Sequence, residues 1–272
     1  MKITNICKIT GGQDGAIFKN FLFRFDSKGN CSVHKMDNLT EKFSEFKLDK
    51  TDEIVPHSNA VQFGSEYFDK NDEFPLLYTN VYNNYMWEKD KKKGVCLVYR
   101  ITRNGEKFSS ALVQKITIGF TEDELWKSCD EDVRPYGNFV IDKEKGRIYA
   151  FTMRDKDKTT RYFAFNCPKI TDGENVVLEK EDVIEYFDCP YHYYIQGATC
   201  NKGKIYSTEG FSNDEKNAPA IRIIDLEAKK QIFHANILEL GYKEEPEFID
   251  FSEDGTCYYS DAYGNFYVFD EE

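Results

Sequence analysis

The chain has 272 residues, of which 18 are Tyr and 22 are Phe, and it carries a formal net charge of −12. That length suits one or two domains with ample core material, and the aromatic load favours strands, because such side chains fit a pleated, half-buried surface. The acidic balance argues against a nucleic-acid partner, since neutralising phosphates takes a basic face.

In chain order, residues 3–9 alternate through Ile3, Cys7 and Ile9 and predict a lone first strand. A first repeat then runs through 14–18, 21–26, 31–36 and 42–48, with a turn at Ser27-Lys-Gly-Asn30. The second repeat has strand patterns at 59–63, 75–80, 94–101 and 112–118, with its longest loops at 64–74 and 82–93. The run Lys89 to Lys93, broken by Asp90, reads as a solvated loop. Thr121-Glu-Asp-Glu124 has the pattern of a capping box and predicts a short helix over 121–129. The third repeat covers 138–142, 147–152 and 161–165, with Asn175–Glu179 as its expected outer strand and a short helix over 182–187. The fourth covers 196–200, 204–209, 220–225 and 231–237. The fifth, at 247–251, 256–261 and 265–270, has only three strands before the chain ends.

Four repeats of four strands, a fifth of three and a spare strand at residues 3–9 predict one all-β domain over 1–272. It is a five-bladed β-propeller whose N-terminal strand completes the last blade and removes an open edge. A unit of roughly fifty residues with four strands fits a propeller. A sandwich would explain the strand content but not the recurring unit.

The eight cysteines form no Cys-x-x-Cys pair and mostly fall inside strand patterns, so they read as reduced, buried thiols. The first ten residues hold no continuous apolar stretch of signal-peptide type, and no run is long enough to span a bilayer. The expectation is a cytoplasmic protein with no membrane partner.

Aligned on their first strands, the repeats each begin with one polar residue: Asp14, Asn59, Asn138, Gln196 and Glu247. In a radial fold these five converge at one mouth of the axial channel, a natural place for a pocket. The bland alternative is that they satisfy exposed backbone where strands meet water. Two carboxylates and three amides are a hard oxygen set, suited to Ca2+ or Mg2+ or to a hydroxyl-rich ligand, and poor for zinc. Gln13, His57, Arg134, Tyr136, Tyr194 and Glu245 flank the ring and complete the candidate binding set. The aromatic members, including Tyr191 to Tyr194, either form a platform for sugar faces or wedge between blades.

Asp14, Glu247, His57 and His192 are the candidate catalytic residues, His because it titrates near neutrality. His34 and His234 fall in strand patterns away from the rim and read as structural. No nucleophile-elbow, P-loop or zincin motif is present. Glycoside hydrolysis takes two flanking carboxyl groups, and Asp14 and Glu247 become neighbours on ring closure. The architecture resembles that of several five-bladed glycosidase families, in which acids stand on the first three blades; here blades two and three carry Asn59 and Asn138. Ile195-Gln-Gly-Ala-Thr199, Lys204-Ile-Tyr206, Ile221-Arg-Ile-Ile-Asp-Leu226 and Glu245-Pro-Glu247 resemble the propellers related to teichoic-acid biosynthesis protein C and to some phage receptor-binding proteins. That resemblance implies recognition of a glycan or cell-wall polymer. The sequence therefore points to a propeller that binds a small polar, carbohydrate-like ligand at the channel mouth. The alternatives are a hydrolase of glycosides, lactones or nucleotides and a protein-interaction scaffold.

Overall fold

The computed structural model describes residues 2–81, 92–130, 136–212 and 214–270. All of its strands fall into five sheets arranged as a ring, the five-bladed propeller that the repeats predict. β1 (Lys2–Lys8) precedes blade one, which comprises β2 (Gly15–Phe18), β3 (Phe21–Phe25), β4 (Asn30–Lys35) and β5 (Asn38–Lys47). Blade two is β6 (His57–Phe63), β7 (Leu77–Val81), β8 (Val95–Asn104) and β9 (Lys107–Ile118). Blade three is β10 (Asn138–Asp142), β11 (Arg147–Arg154), β12 (Thr159–Asn166) and β14 (Glu185–Pro190), with β13 (Asn175–Leu178) between the last two in sequence. Blade four is β15 (Ile195–Asn201), β16 (Lys204–Glu209), β17 (Ala220–Asp225) and β18 (Lys230–Asn236). Blade five is β19 (Pro246–Phe251), β20 (Cys257–Asp261) and β21 (Asn265–Asp270). β1 closes the ring as expected, pairing antiparallel with β21 from Lys2 opposite Asp270 to Lys8 opposite Asn265. The Tyr242 hydroxyl holds it from the side, donating to the Ile3 carbonyl at 2.6 Å.

Two expectations fail in blade three. Asn175–Leu178 is strand, but β13 joins blade two, lying parallel to β9 rather than closing its own blade. Lys115 N donates to Glu174 O and Gly119 N to Leu178 O, which ties both ends of β13 across the blade boundary. The outer strand of blade three is β14, in the segment expected to be helical. Phe187 and Cys189 alternate inward there, a period of two that a helix would not satisfy. Arg161 anchors β14 to β12 through a bidentate pair with Asp188, both contacts 2.7 Å. The helix expected over 121–129 is a series of turns within the described residues, because Asp123 accepts from Leu125 N and folds the segment back under buried Trp126. The only helical segments among the described residues are 3-10 turns at Ile170–Asp172, Lys180–Asp182 and Leu238–Leu240. None is long and apolar enough to cross a membrane. None of the eight cysteines is joined in a disulfide.

Aromatic side chains seal the blades against one another. Phe23 of blade one meets Phe63 of blade two edge-on at 5.2 Å, and both meet Phe74. Within blade three, Tyr162 is stacked between Phe151 at 4.9 Å and Phe187 at 5.3 Å. Burying one such ring stabilises the fold by roughly 1.5–3 kcal/mol.

The axis is closed by side chains that stand in for backbone. Gln62 on β6 accepts from Ile141 N at 2.9 Å and Cys200 N at 3.2 Å. Its amide donates to Ile141 O at 3.1 Å and Cys200 O at 2.9 Å. One glutamine thus joins blades two, three and four. Asp250 on β19 accepts from Ile17 N of blade one at 2.7 Å and from the Thr199 hydroxyl of blade four at 2.9 Å. Gln62→Leu strands four buried backbone groups, each costing about 1–3 kcal/mol when left unpaired. The expected result is a loss of about 3 kcal/mol or more in guanidinium unfolding; an unchanged midpoint would mean that water replaces those bonds.

Candidate functional site

The five ring residues stand where the inner strands begin, at what we name the upper mouth. Their aim is set by irregular backbone. Gln196 and Glu247 each sit at a shift of register, between Ile195 and Gly197 and between Pro246 and Phe248. Such bulges re-aim a side chain. His57 and Ser58, just before Asn59, hold left-handed φ values of 60° and 57°. Asn138 follows Gly137 at φ 85°, where a Cβ would lie 2.9 Å from the Trp126 ring, so both conformation and space call for glycine. Asp14 N donates to Ser58 O at 3.1 Å, tying the first two blades together.

All five ring side chains are buried. Asp14 Oδ2 accepts from Val61 N at 2.9 Å and from Ala198 N at 3.3 Å, so its carboxyl crosses the axis from blade one to blades two and four. Asn59 Nδ2 donates to Gln196 Oε1 at 3.1 Å and to Ile195 O at 3.0 Å. The Gln196 amide donates to Glu245 Oε1 and to Gly210 O. Gln13 Nε2 donates to Glu247 Oε1 at 3.1 Å. Asn138 Oδ1 accepts from Asn80 Nδ2 at 2.7 Å, and Asn80 Oδ1 in turn accepts from Ala60 N. Asn59 and Gln196 are bonded directly, and Glu245, Gln13 and Asn80 support Gln196, Glu247 and Asn138 from outside the ring.

Burial sets the charge state of this layer. It raises the Asp14 carboxyl well above its ordinary range, against the pull of three backbone N–H groups and Arg24. It raises Glu247 likewise, and the neighbouring Glu245 charge adds to the effect. Glu245 is itself pushed up by burial. The cation of the site is Arg24 on β3, which the sequence reading passed over as a strand residue. Its guanidinium is buried, donates to the carbonyls of Gly12 and Gln13, and lies 5.4 Å from the Phe248 ring. Burial lowers it to about 10, so it stays charged at neutral pH beside Asp14 and Glu247.

Four ring atoms are buried without a hydrogen-bond partner: Asp14 Oδ1, Asn59 Oδ1, Asn138 Nδ2 and Glu247 Oε2. They come from four different blades; with both carboxyls neutral, Asp14 Oδ1 and Glu247 Oε2 carry the protons and donate, as Asn138 Nδ2 does, while Asn59 Oδ1 accepts. Buried polar groups are rarely left in this state. A protein-built calcium site takes six to eight oxygens, and the ring has three unengaged. Among the described residues no cluster of three or more His, Cys, Asp or Glu can hold a metal ion. The donor set therefore does not fit a Ca2+ or Mg2+ centre made by the protein alone.

The flanking candidates divide. Arg134 lies outside the described residues. His57 is half-buried before Asn59 and is lowered by burial, which favours its neutral form. Tyr136 and Tyr191 are buried in the core of blades three and four, which is the wedge role. Tyr194 is half-buried at the rim, with its ring 5.4 Å from that of Phe211, and Tyr193 beside it is exposed. His192 is drawn away from the rim. It is buried, with Nε2 3.1 Å from the Tyr162 hydroxyl and Nδ1 3.9 Å from Glu209, and it is held well below its ordinary range by burial. Glu209 binds Arg222 at 2.7 Å and His234 at 2.6 Å, so this cluster is a charge-balanced network away from the ring. His34 is buried and engaged by Leu39 O and the Thr10 hydroxyl. Asn80 and Phe211 also belong to the site; in the sequence each looks like part of an ordinary strand or loop.

Comparison with solved structures gives the same architecture. The chain is similar to the glutaminyl cyclase of Myxococcus xanthus, with a TM-score of 0.53 and 10% identity over 99% of this chain and 96% of that one. That likeness shows the fold. No family model matches the chain, and no curated protein matches it. The likeness to teichoic-acid biosynthesis protein C and phage propellers therefore rests on the short sequence motifs alone.

Glu247 gives this layer a measurable pH signature. A free glutamate ionises near 4.3. Because the folded value is raised, the stability contributed by neutral Glu247 is fully present below that pH and is lost as pH rises through the folded value. Glu247→Gln removes the titration, so the variant gains on the wild type in thermal melts from pH 4 upward. A difference that stays flat with pH would show Glu247 to be ionised in the native state.

Proposed function

We propose that the chain is a ligand-binding propeller whose upper channel mouth holds a small polar ligand of carbohydrate type. The observation that carries this reading is the set of four unpartnered buried atoms, Asp14 Oδ1, Asn59 Oδ1, Asn138 Nδ2 and Glu247 Oε2, each from a different blade. Sugar hydroxyls both donate and accept, and so match three donors and one acceptor. Neutral Asp14 and Glu247 favour an uncharged partner over a cation. The Tyr194–Phe211 pair and exposed Tyr193 supply apolar surface beside them for a sugar face. The test is binding to a glycan array and a panel of mono- and oligosaccharides by calorimetry. Asn59→Ala combined with Gln196→Ala is expected to weaken binding by roughly tenfold or more, the loss of one or two hydrogen bonds. Unchanged binding would remove the ring from the site.

A second reading is an enzyme that transfers protons with Glu247. Its support is the closeness of Glu245 to Glu247, both raised by burial, so that one carboxylic acid can donate while the other is poised to accept. The fold shared with a glutaminyl cyclase adds glutaminyl substrates to the glycosides, lactones and nucleotides worth screening. Glu247→Gln is then expected to cost about a hundredfold or more in turnover. A wild type inactive across the panel would overturn this second reading and leave the first standing.

A further inference from the structure

The lower end of the axis holds a cavity that the upper mouth does not use. It lies where the inner strands of blades one, three, four and five end, and its volume is about 280 Å³. Gln62 bridges three inner strands next to it through Ile141 and Cys200, and Cys200 also lines its wall.

Its inner wall is made of acceptors. Asp142 is buried; its Oδ1 accepts from Glu144 N at 3.1 Å and Lys145 N at 3.2 Å, while Oδ2 has no partner. Asp250 is also buried, and each of its oxygens receives one donor, Ile17 N or the Thr199 hydroxyl. A carboxylate oxygen accepts two, so capacity remains on both aspartates. The mid-wall is apolar, formed by Ile17, Phe18 and Phe251. The outer rim carries the exposed lysines Lys19, Lys143 and Lys202 from blades one, three and four. Glu144 and Glu253 reach the same rim and temper its attraction for a free anion.

Acceptors inside, methylene-sized apolar wall between and cations outside describe one kind of molecule. We propose that the lower mouth is a second binding site, for a small zwitterion whose primary ammonium meets Asp142 and Asp250 and whose carboxylate lies among the three lysines. A lone anion would face two buried carboxylates, and a lone amine would leave the lysine rim unanswered. The volume suits a short chain rather than an oligomer.

Calorimetry with 4-aminobutyrate, butylamine and butyrate tests this on the whole chain. The zwitterion is expected to bind at least about tenfold more tightly than either half of it, as one charge-assisted contact is worth roughly tenfold to a hundredfold. Asp142→Asn is expected to lose a similar factor. Lys143→Ala, an exposed change that leaves the inner wall intact, is expected to reduce the preference for 4-aminobutyrate over butylamine severalfold and carries the test if Asp142→Asn does not fold. Equal binding of butylamine, no binding of 4-aminobutyrate to the folded wild type, Ca2+ as the only species that titrates, or a Lys143→Ala variant that keeps the preference in full would each overturn the proposal.

Discussion

Five strands that meet around an axis present backbone edges to one another with no further strand to receive them. Every buried N–H left there costs about 1–3 kcal/mol, and the rest of this molecule is arranged around meeting that demand. Asp14 answers Val61 and Ala198, Gln62 answers Ile141 and Cys200, Asp250 answers Ile17, and Asn80 answers Ala60. Asp14, Gln62 and Asp250 reach across to other blades, so the same bonds that quiet the edges also tie the blades together. The interior of the ring is therefore polar by necessity.

That necessity is also what makes a site possible. A group recruited to cap a strand edge is already buried, oriented and partly engaged, and any lone pair left over faces the axis. Asp14 shows both roles in one carboxyl, with Oδ2 on backbone and Oδ1 on nothing. A single buried cation, Arg24, is set against Asp14, Glu247 and Asp261. Burial holds Asp14 and Glu247 toward their neutral forms against the pull of Arg24, and this gives the upper mouth hydrogen-bonding capacity without much charge. The lower mouth has the opposite character, with charged lysines at the opening.

The ring was legible in the sequence because its cause is local. Strand alternation, glycine turns and an odd first strand are all read within short windows, and the five polar residues at the strand starts stood out against the apolar stretches behind them. What escaped reading has distant causes. Gln62 sits between Val61 and Phe63 and looks like an outward residue of an ordinary strand; its partners are Ile141 and Cys200. Arg24 lies in a run of aromatics and is explained only by acids from blades one and five. Residues 182–187 read as helix because Glu185 and Asp188 obscure the alternation of Phe187 and Cys189, and the edge of β12 that claims them lies twenty or more residues back. His192 sits in a tyrosine-rich loop that belongs at the rim, but the Tyr162 and Thr160 hydroxyls on β12 hold it inward. In each case the deciding neighbour is far along the chain.

The placement of β13 bears on how such a ring can change over generations. Residues 175–178 leave the third blade and lie against β9 of the second, with Gln114 holding the crossing segment through the carbonyls of Lys169 and Gly173. Blades two and three are thus spliced to each other. Duplication or loss of a single blade at this boundary would strip β9 of its companion and bare its edge, whereas the seam between blades three and four carries no such exchange of strands. Lineages that gain or shed blades from this scaffold are expected to do so elsewhere on the circle.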